Sequence, residues 1–383
     1  MKGKDLKITI KTFYGLEEVL AQELEEHGLK GAKLLNRAVT IKGDWDDVYF
    51  LNVHLRTAIS ILVEIDSFKI RKERDLYTNA YQIDWPSFFT VDKTFAVKGA
   101  VFSDVFRHSQ YPFLLVKDAI VDRFRDKVQD RPDVNVKKPQ VMIDVYVNND
   151  EVTISLNTSG LPLFQRGYRE ATGAAPLNEV VAAGILKLSG WDGKTDLVDP
   201  FCGSGTILIE AALMAAGLPP NLERHHYAFK NFENFNEEKF NSIIDGIDRR
   251  VKGLPCKIVG SDISDEMVTK TRRNLRGLPI GRFVETSVKP FDQVEKPSES
   301  GNIVTNPPYG ERMGEEIEEL YEGIGNWLKH SMPGYSCWLI SSNMDALKKV
   351  GLKPDMKMRL FNGKLECSLR KYTVFEGKLK DNK

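Results

Sequence analysis

Apolar residues along this chain recur at a period of two in some stretches and three to four in others, and the switches between the two periods mark its elements. Residues 7–11 alternate as a strand. Leu16, Val19, Leu20 and Leu24 then share one helical face that stops at His27-Gly28, and 33–42 returns as a strand before Gly43-Asp44. After this β-α-β opening the pattern predicts a helix over 45–60, an extended segment over 61–70, a helix over 76–85 and a strand over 94–101. A helix over 113–128 follows, and then a hairpin, 141–147 with 152–156, turning at Asn149-Asp150.

Beyond this point strands and helices alternate in a different way. An apolar helix over 176–188 precedes a buried strand over 196–199, a glycine-rich turn over 201–205 and a helix opening at Thr206. Further strands are expected over 257–262, 283–287 and from Ile303, then a helix over 317–330, a strand over 335–341 and a closing hairpin-like pair within 361–374. Such alternation is the pattern of an α/β unit built on a largely parallel sheet. Residues 219–255 interrupt it as a long insertion, aromatic-rich at AFKNFENF (228–235) and helical over 237–251. The pattern fits a lid over the site or a cap on the sheet equally well.

Composition narrows the class. A length of 383 residues predicts two or three domains, and 42% apolar with 28% charged residues is ordinary for a globular protein. No run of 18 apolar residues exists and the MKGKDLKITI start lacks a signal-peptide core, so a cytoplasmic location and no membrane partner are expected. Cys202, Cys256, Cys337 and Cys367 are scattered without a C-x-x-C pair, which indicates neither a metal site nor a disulfide framework. Lys+Arg and Asp+Glu balance at 54 each, so a nucleic-acid partner would be held by local patches and not by the overall field. Three basic stretches with interleaved aromatics stand out: FKIRKER with Lys69, Arg71, Lys72 and Arg74; Phe106-Arg107-His108; and Lys137-Lys138. Each alone reads as a solvated face, whereas three together in a region with no catalytic cluster favour contact with an RNA backbone.

The candidate chemistry lies in two loops. In DPFCGSGT, Asp199 ends a strand, Phe201, Cys202, Gly203, Ser204 and Gly205 form a tight turn, and Thr206 opens a helix whose free N–H groups face the space above. The Lys-Ser/Thr of a phosphate-gripping loop is missing, and Leu208 stands where a dinucleotide fingerprint needs its third glycine. Asp199 would repel a pyrophosphate but suits an ammonium. A nucleoside carrying an amino acid, S-adenosylmethionine, meets both conditions; a ligand-free strand–helix turn gives the same string. In IVTNPPYG, two prolines stiffen the loop and remove N–H donors, leaving carbonyls such as that of Pro307 to accept. Asn306 adds an amide oxygen and Tyr309 a flat ring, the features needed to hold and stack a base that bears an exocyclic amine. A plain Pro-Pro turn ending a strand is the alternative for this loop alone. Asp262, ending the 257–262 strand, is placed to accept ribose hydroxyls, with Ile263 beside it; capping the next helix, a role open to Ser264 as well, is its alternative.

The phrases SQYPFLLVKDAIVDRF (109–124), LFQRGYRE (163–170), APLNEVVAAGIL (175–186), DPFCGSGT and NPPYGER together resemble the bacterial large-subunit ribosomal RNA guanine-N2 methyltransferases that carry a THUMP domain. The resemblance covers essentially the whole chain. It implies an α/β fold: a class I, Rossmann-like S-adenosylmethionine methyltransferase domain with a seven-stranded mixed sheet at 176–383, preceded by an α+β RNA-binding region. That region divides into a ferredoxin-like part (1–44), a THUMP domain (45–158) and a linker (159–175). It further implies that Thr172, Pro176 and Glu179 line the methionine end of the cofactor pocket, although the family motif often has Lys where this chain has Asn178. Asp292 stands two residues past the usual adenine-binding position, occupied here by Pro290. Asn306 counts among both catalytic and cofactor-contacting residues, and Arg166 and Arg169 join the RNA contacts. The expected activity is methylation of guanine N2 in large-subunit rRNA. Guanine N2 in tRNA, adenine N6 in nucleic acid and a non-catalytic RNA-binding role are the rivals; the oligomeric state is open.

Overall fold

The computed structural model describes residues 5–170, 176–310 and 314–375. Its first half runs β1 (Leu6–Lys11), α1 (Glu17–Glu26), β2 (Lys33–Leu35), β3 (Ala38–Gly43), α2 (Trp45–His54), β4 (Ser60–Lys69), α3 (Glu73–Gln82), β5 (Phe95–Phe102), α4 (Tyr111–Val128), β6 (Val141–Asn148) and β7 (Glu151–Asn157). β4 pairs antiparallel with β1 on one side and with β7 on the other. The opening unit and the α/β unit after it therefore share one seven-stranded sheet, ordered β2-β3-β1-β4-β7-β6-β5.

Two local expectations are corrected here. The strand expected over 33–42 is a hairpin, because Arg37 takes a left-handed conformation at φ 58° with no glycine to announce it. The helix expected to reach Ser60 ends at His54. Its start is set by Asp44, which accepts from the N–H groups of Asp46 and Asp47 while Asp47 accepts from that of Asp44, a reciprocal cap. Its end is set by the sheet, since Ile59 donates to the Lys11 carbonyl and Ser60 pairs with Lys11.

The second half runs α5 (Glu179–Leu188), β8 (Asp196–Asp199), α6 (Thr206–Ala215), α7 (Glu237–Asp245), β9 (Ile258–Asp262), α8 (Asp265–Leu275), β10 (Val284–Val288), β11 (Gly301–Thr305), α9 (Gly314–Ser331), β12 (Tyr335–Ser341), α10 (Ala346–Lys349), β13 (Met356–Asn362) and β14 (Leu365–Thr373). Its sheet is ordered β10-β9-β8-β11-β12-β14-β13. Five strands are parallel; β14 and β13 are antiparallel to their neighbours and close one edge. The strand order reverses between β8 and β11, which opens the crevice where such sheets bind ligands. Among the described residues, no helix is long and apolar enough to cross a membrane.

The insertion between α6 and β9 is neither lid nor sheet cap. Tyr227, Phe229, Phe232 and Phe240 belong to the core of the first half, where Tyr49 packs against Phe229, Phe235 and Phe240. Burial of this aromatic cluster, not closure of a site, is what orders the segment. α7 stops at Asp245, short of the expected 251, once Phe240 has been buried. Arg224 completes the joint. It donates to the carbonyls of Ser159, Leu161, Pro162 and Gln165 in the connecting segment, and burial pulls its pKa down to about 10.

Candidate active site

Two strand ends build the site. β8 delivers Asp199 into the interior, where it is 1% exposed. Its Oδ1 accepts from the Thr305 hydroxyl at 2.8 Å and from the Phe201 N–H at 3.2 Å. Thr305 ends the neighbouring β11, so this one hydrogen bond fastens the glycine turn to the Asn-Pro-Pro-Tyr loop. Burial pushes the Asp199 carboxyl up to about 7, with Asp262 adding repulsion.

The turn itself is held from β9 and α8. Gly203, at φ 54°, donates its N–H to Asp262 Oδ2 at 3.0 Å, and its carbonyl accepts from Thr271. Gly205 lies at φ 87°, and a Cβ there would stand 2.7 Å from Thr271 Cγ2, so only glycine allows α8 to approach this closely. Asp262 bridges two turns, because its Oδ1 accepts from the Ser264 N–H; the cap of α8 itself is Ser264, whose hydroxyl accepts from Met267. A carboxylate has lone pairs beyond these two bonds, so Asp262 keeps acceptor capacity toward the cleft.

Pro176, Asp199, Phe201, Cys202, Gly203, Ser204, Thr206, Asp262, Ile263, Asp292, Asn306, Pro307 and Tyr309 all line one cleft of about 710 Å³. Ile263 is 76% exposed in it, an apolar side chain left open to the cleft. Tyr309 donates its hydroxyl to Asn306 Oδ1, and burial holds its pKa above the usual range, so it stays a donor. Among the described residues nothing donates to the Pro307 carbonyl, whereas that of Pro308 accepts from Tyr321. Burial also pushes the thiol of Cys202 well up, which leaves no thiolate nucleophile in the turn.

Other expected residues lie elsewhere. Thr172 is outside the described residues. Gly205 stands behind the cleft, as does Glu179, whose carboxylate pairs with Arg169 at 2.7 Å. Arg169, assigned to RNA on sequence, also donates to the hydroxyls of Ser204 and Thr206, bracing the turn from behind. Arg166, with the same assignment, is 1% exposed; it pairs with Glu210 of α6 and donates to the carbonyls of Leu163 and Arg56. Arg166 is thus spent on a buried partner, which its RNA assignment did not foresee, while Arg169 is half-buried and engaged with Glu179. The basic stretches divide as well. Ile70 donates to the Asp150 carbonyl and Asn149 to that of Phe102, which brings Lys69, Arg71, Lys72 and Arg74 to the same end of the first sheet as Arg107. Lys137 and Lys138 sit at the opposite end, near the bridge between Phe95 and Val134.

Sequence reading missed a second rim of the cleft. Phe291, stacked on Phe201 at 5.2 Å, and Met267, Asn362 and Leu365 line it too. Asn362 accepts from the Asn178 N–H, while Asn178 caps α5 through the Val180 N–H. A side chain that reaches the site from the last hairpin leaves no local pattern; the Asn362-Gly363 turn was its only signal.

A parallel sheet closed by an antiparallel pair, with a glycine turn and an Asn-Pro-Pro-Tyr loop at adjacent strand ends, is the architecture of class I methyltransferases. Residues 166–371 match the family model described as RMKL-like, methyltransferase domain, and the chain belongs to that family. Residues 71–157 match the THUMP domain and 7–62 the RlmL ferredoxin-like domain. The chain is 38% identical over 94% of its length to the ribosomal RNA large subunit methyltransferase K/L of Shewanella frigidimarina, and covers 52% of that protein. It thus spans about half the length of the curated relatives it matches. Among solved structures, SMU.472 in complex with SAH (S-adenosyl-L-homocysteine) superposes with TM-score 0.86 at 26% identity, over 98% of this chain and 100% of the other. A predicted N6-adenine-specific DNA methylase from Listeria monocytogenes str. 4b F2365 gives TM-score 0.86 at 25% identity, over 97% of each chain.

Proposed function

We propose that this chain methylates the exocyclic N2 of a guanine in large-subunit ribosomal RNA, using S-adenosylmethionine. The observation that carries this reading is the meeting of Asp199, the glycine turn, Asp262 and Asn306-Pro307-Pro308-Tyr309 in one cleft, tied together by the bond between Thr305 and Asp199. The residues fit the cofactor: the buried Asp199 carboxyl has no cationic partner among the described residues, Asp262 has spare acceptor capacity, and Ile263 and Phe291 offer apolar faces. When bound, the cofactor supplies a methyl group on a sulfonium, already a good leaving group. The protein's task is therefore positioning.

Asn306 Oδ1 and the Pro307 carbonyl would accept the two N–H bonds of the amine, turn its lone pair toward the methyl group and stabilise the positive charge that grows on nitrogen. Tyr309 would stack on the base, which must leave its helix to arrive there. No general base is needed, since the proton can pass to water after transfer.

The relatives named as ribosomal RNA large subunit methyltransferases support the substrate class, and a cytoplasmic location is part of the same proposal. The exposed cations at the Arg71 and Arg107 end of the first sheet are the proposed RNA contacts. The second reading is adenine N6, because the same loop serves any planar exocyclic amine. Transfer of labelled methyl groups to unmodified large-subunit rRNA, small-subunit rRNA and bulk tRNA, followed by nucleoside analysis, separates the two. N2-methylguanosine from large-subunit rRNA alone is expected; label in methyladenosine or in tRNA overturns the substrate assignment.

A further inference from the structure

Next to the hairpin end that reaches the cleft, Tyr14 from the loop between β1 and α1 meets Phe361 of β13 edge to face, with ring centroids 5.9 Å apart. The Arg359 guanidinium lies 5.8 Å from the Tyr14 ring and 5.1 Å from that of Phe361. Tyr14 is 44% exposed, although its neighbours Phe13 and Leu16 are buried. The two halves of the chain meet here because of Gly15: at φ 86°, an added Cβ would stand 2.9 Å from the Arg359 carbonyl oxygen. Any side chain at position 15 would lift the loop off β13.

This cluster borders the cleft at the end of the last hairpin: Asn362, the chain neighbour of Phe361, and its cross-strand partner Leu365 line the cleft, while Arg359 and Phe361 stand on the opposite side of β13. Two exposed cations flank the cluster. Arg37 is exposed beside the loop, its carbonyl accepting from the Thr12 N–H, and Lys364 is exposed in the hairpin turn. Glu17 is occupied by the N–H groups of Gly15 and Arg37, and Arg359 shares an exposed ion pair with Glu366, an interaction that RNA phosphate can replace.

We propose that Tyr14, Arg359 and Phe361 form a stacking platform for the unpaired nucleotide next to the one whose base enters the cleft. This rests on the reading above that the cleft takes a base of RNA. Extruding that base strips its neighbour of a stacking partner. Aromatic faces and a guanidinium plane replace the lost stack, while the flanking cations meet phosphates. Tyr, Phe and Arg are enriched at protein interfaces as well, but Lys is depleted there, so the exposed Lys364 favours RNA phosphate over a protein partner. On this view the ferredoxin-like part of the chain is a wall of the substrate site and not only a tether.

The test uses the full chain, an unmodified large-subunit rRNA transcript and the variant Tyr14→Leu/Arg359→Ala. The expected result is a KM for RNA raised about 10-fold or more, with cofactor Kd and melting temperature unchanged. Tyr14→Phe, which keeps the ring, should retain the wild-type KM, and ultraviolet cross-links to RNA should map to Tyr14 or Phe361. A wild-type KM in the double variant, with the native protein active on the transcript, overturns the platform and leaves the proposed function standing. An effect confined to ribosomal particles and absent on naked RNA also overturns it, in favour of a protein contact. Native protein that binds cofactor but methylates no RNA overturns the proposed function itself.

Discussion

The hydroxyl of Tyr309 donates to Oδ1 of Asn306, the atom proposed to receive an N–H bond of the substrate amine. The loop thus satisfies its own acceptor while no base is bound, and a substrate amine must share or displace that bond. An amide oxygen can accept two hydrogen bonds, so sharing is open to it. Asn306→Ala removes the acceptor altogether and should lower kcat by about 10²- to 10³-fold, the usual scale for one polar group aimed at a developing charge. Cofactor Kd should change little. Tyr309→Phe keeps the ring and frees Asn306, so its loss should stay within about 10-fold, the scale of one net hydrogen bond. Single-turnover transfer and calorimetry check both; equal losses in the two variants would show that the hydroxyl itself acts on the substrate.

If Asp199 receives the ammonium of the cofactor, as proposed, binding should depend on pH. Its carboxyl is pushed up to about 7 by burial, against about 4 when unfolded. Between those values the folded protein binds more protons than the unfolded chain, so this group's contribution to stability falls as pH rises. A ligand bearing an ammonium favours the ionised form and reverses that cost. S-adenosylmethionine should therefore bind more tightly as pH rises through about 7, and Asp199→Asn should flatten the profile. A Kd constant from pH 6 to 8 in the native protein counts against the assignment of Asp199 to the ammonium.

Arg166 joins Glu210 in an ion pair in which both side chains are 0% exposed, and Glu210 also accepts from Tyr168. Arg166→Ala would strand a buried carboxylate, at a cost of about 3–5 kcal/mol. Urea unfolding should register that loss. A variant of native stability but weakened RNA binding would return Arg166 to the RNA surface.

Arg71 and Arg107 sit at one end of the first sheet, exposed and without an ion-pair partner among the described residues. Alanine at each should reduce the salt dependence of RNA binding by about one counterion per residue, uniformly across RNA sequences. Lys137 and Lys138, at the far end, provide the comparison. If only the Lys137→Ala/Lys138→Ala pair moves the slope, the RNA path crosses the opposite end.

Most of the second half was legible because its signals are local. A strand end, two glycines and a helix start at Thr206 fall within one short stretch, and Asn306-Pro307-Pro308-Tyr309 within another, so backbone stereochemistry alone marks them. Arg37 hid a turn because it occupies left-handed space without being glycine. Arg166 misled for a different reason: a cation reads the same on a surface as inside a buried network, and only its partner, here Glu210, distinguishes them. The insertion was ambiguous because aromatic residues announce burial without naming the surface that buries them.

By itself, then, the sequence determined which loops carry chemistry and what kind of ligand each suits, since those properties belong to residue type and short-range geometry. Only the tertiary structure decided that β4 joins two units in one sheet, that Thr305 locks one loop to the other, and that Tyr14 stands beside Phe361. Contacts between residues far apart along the chain depend on how whole sheets and helices pack. That packing is set by the sum of many weak interactions, and no single stretch of sequence contains it.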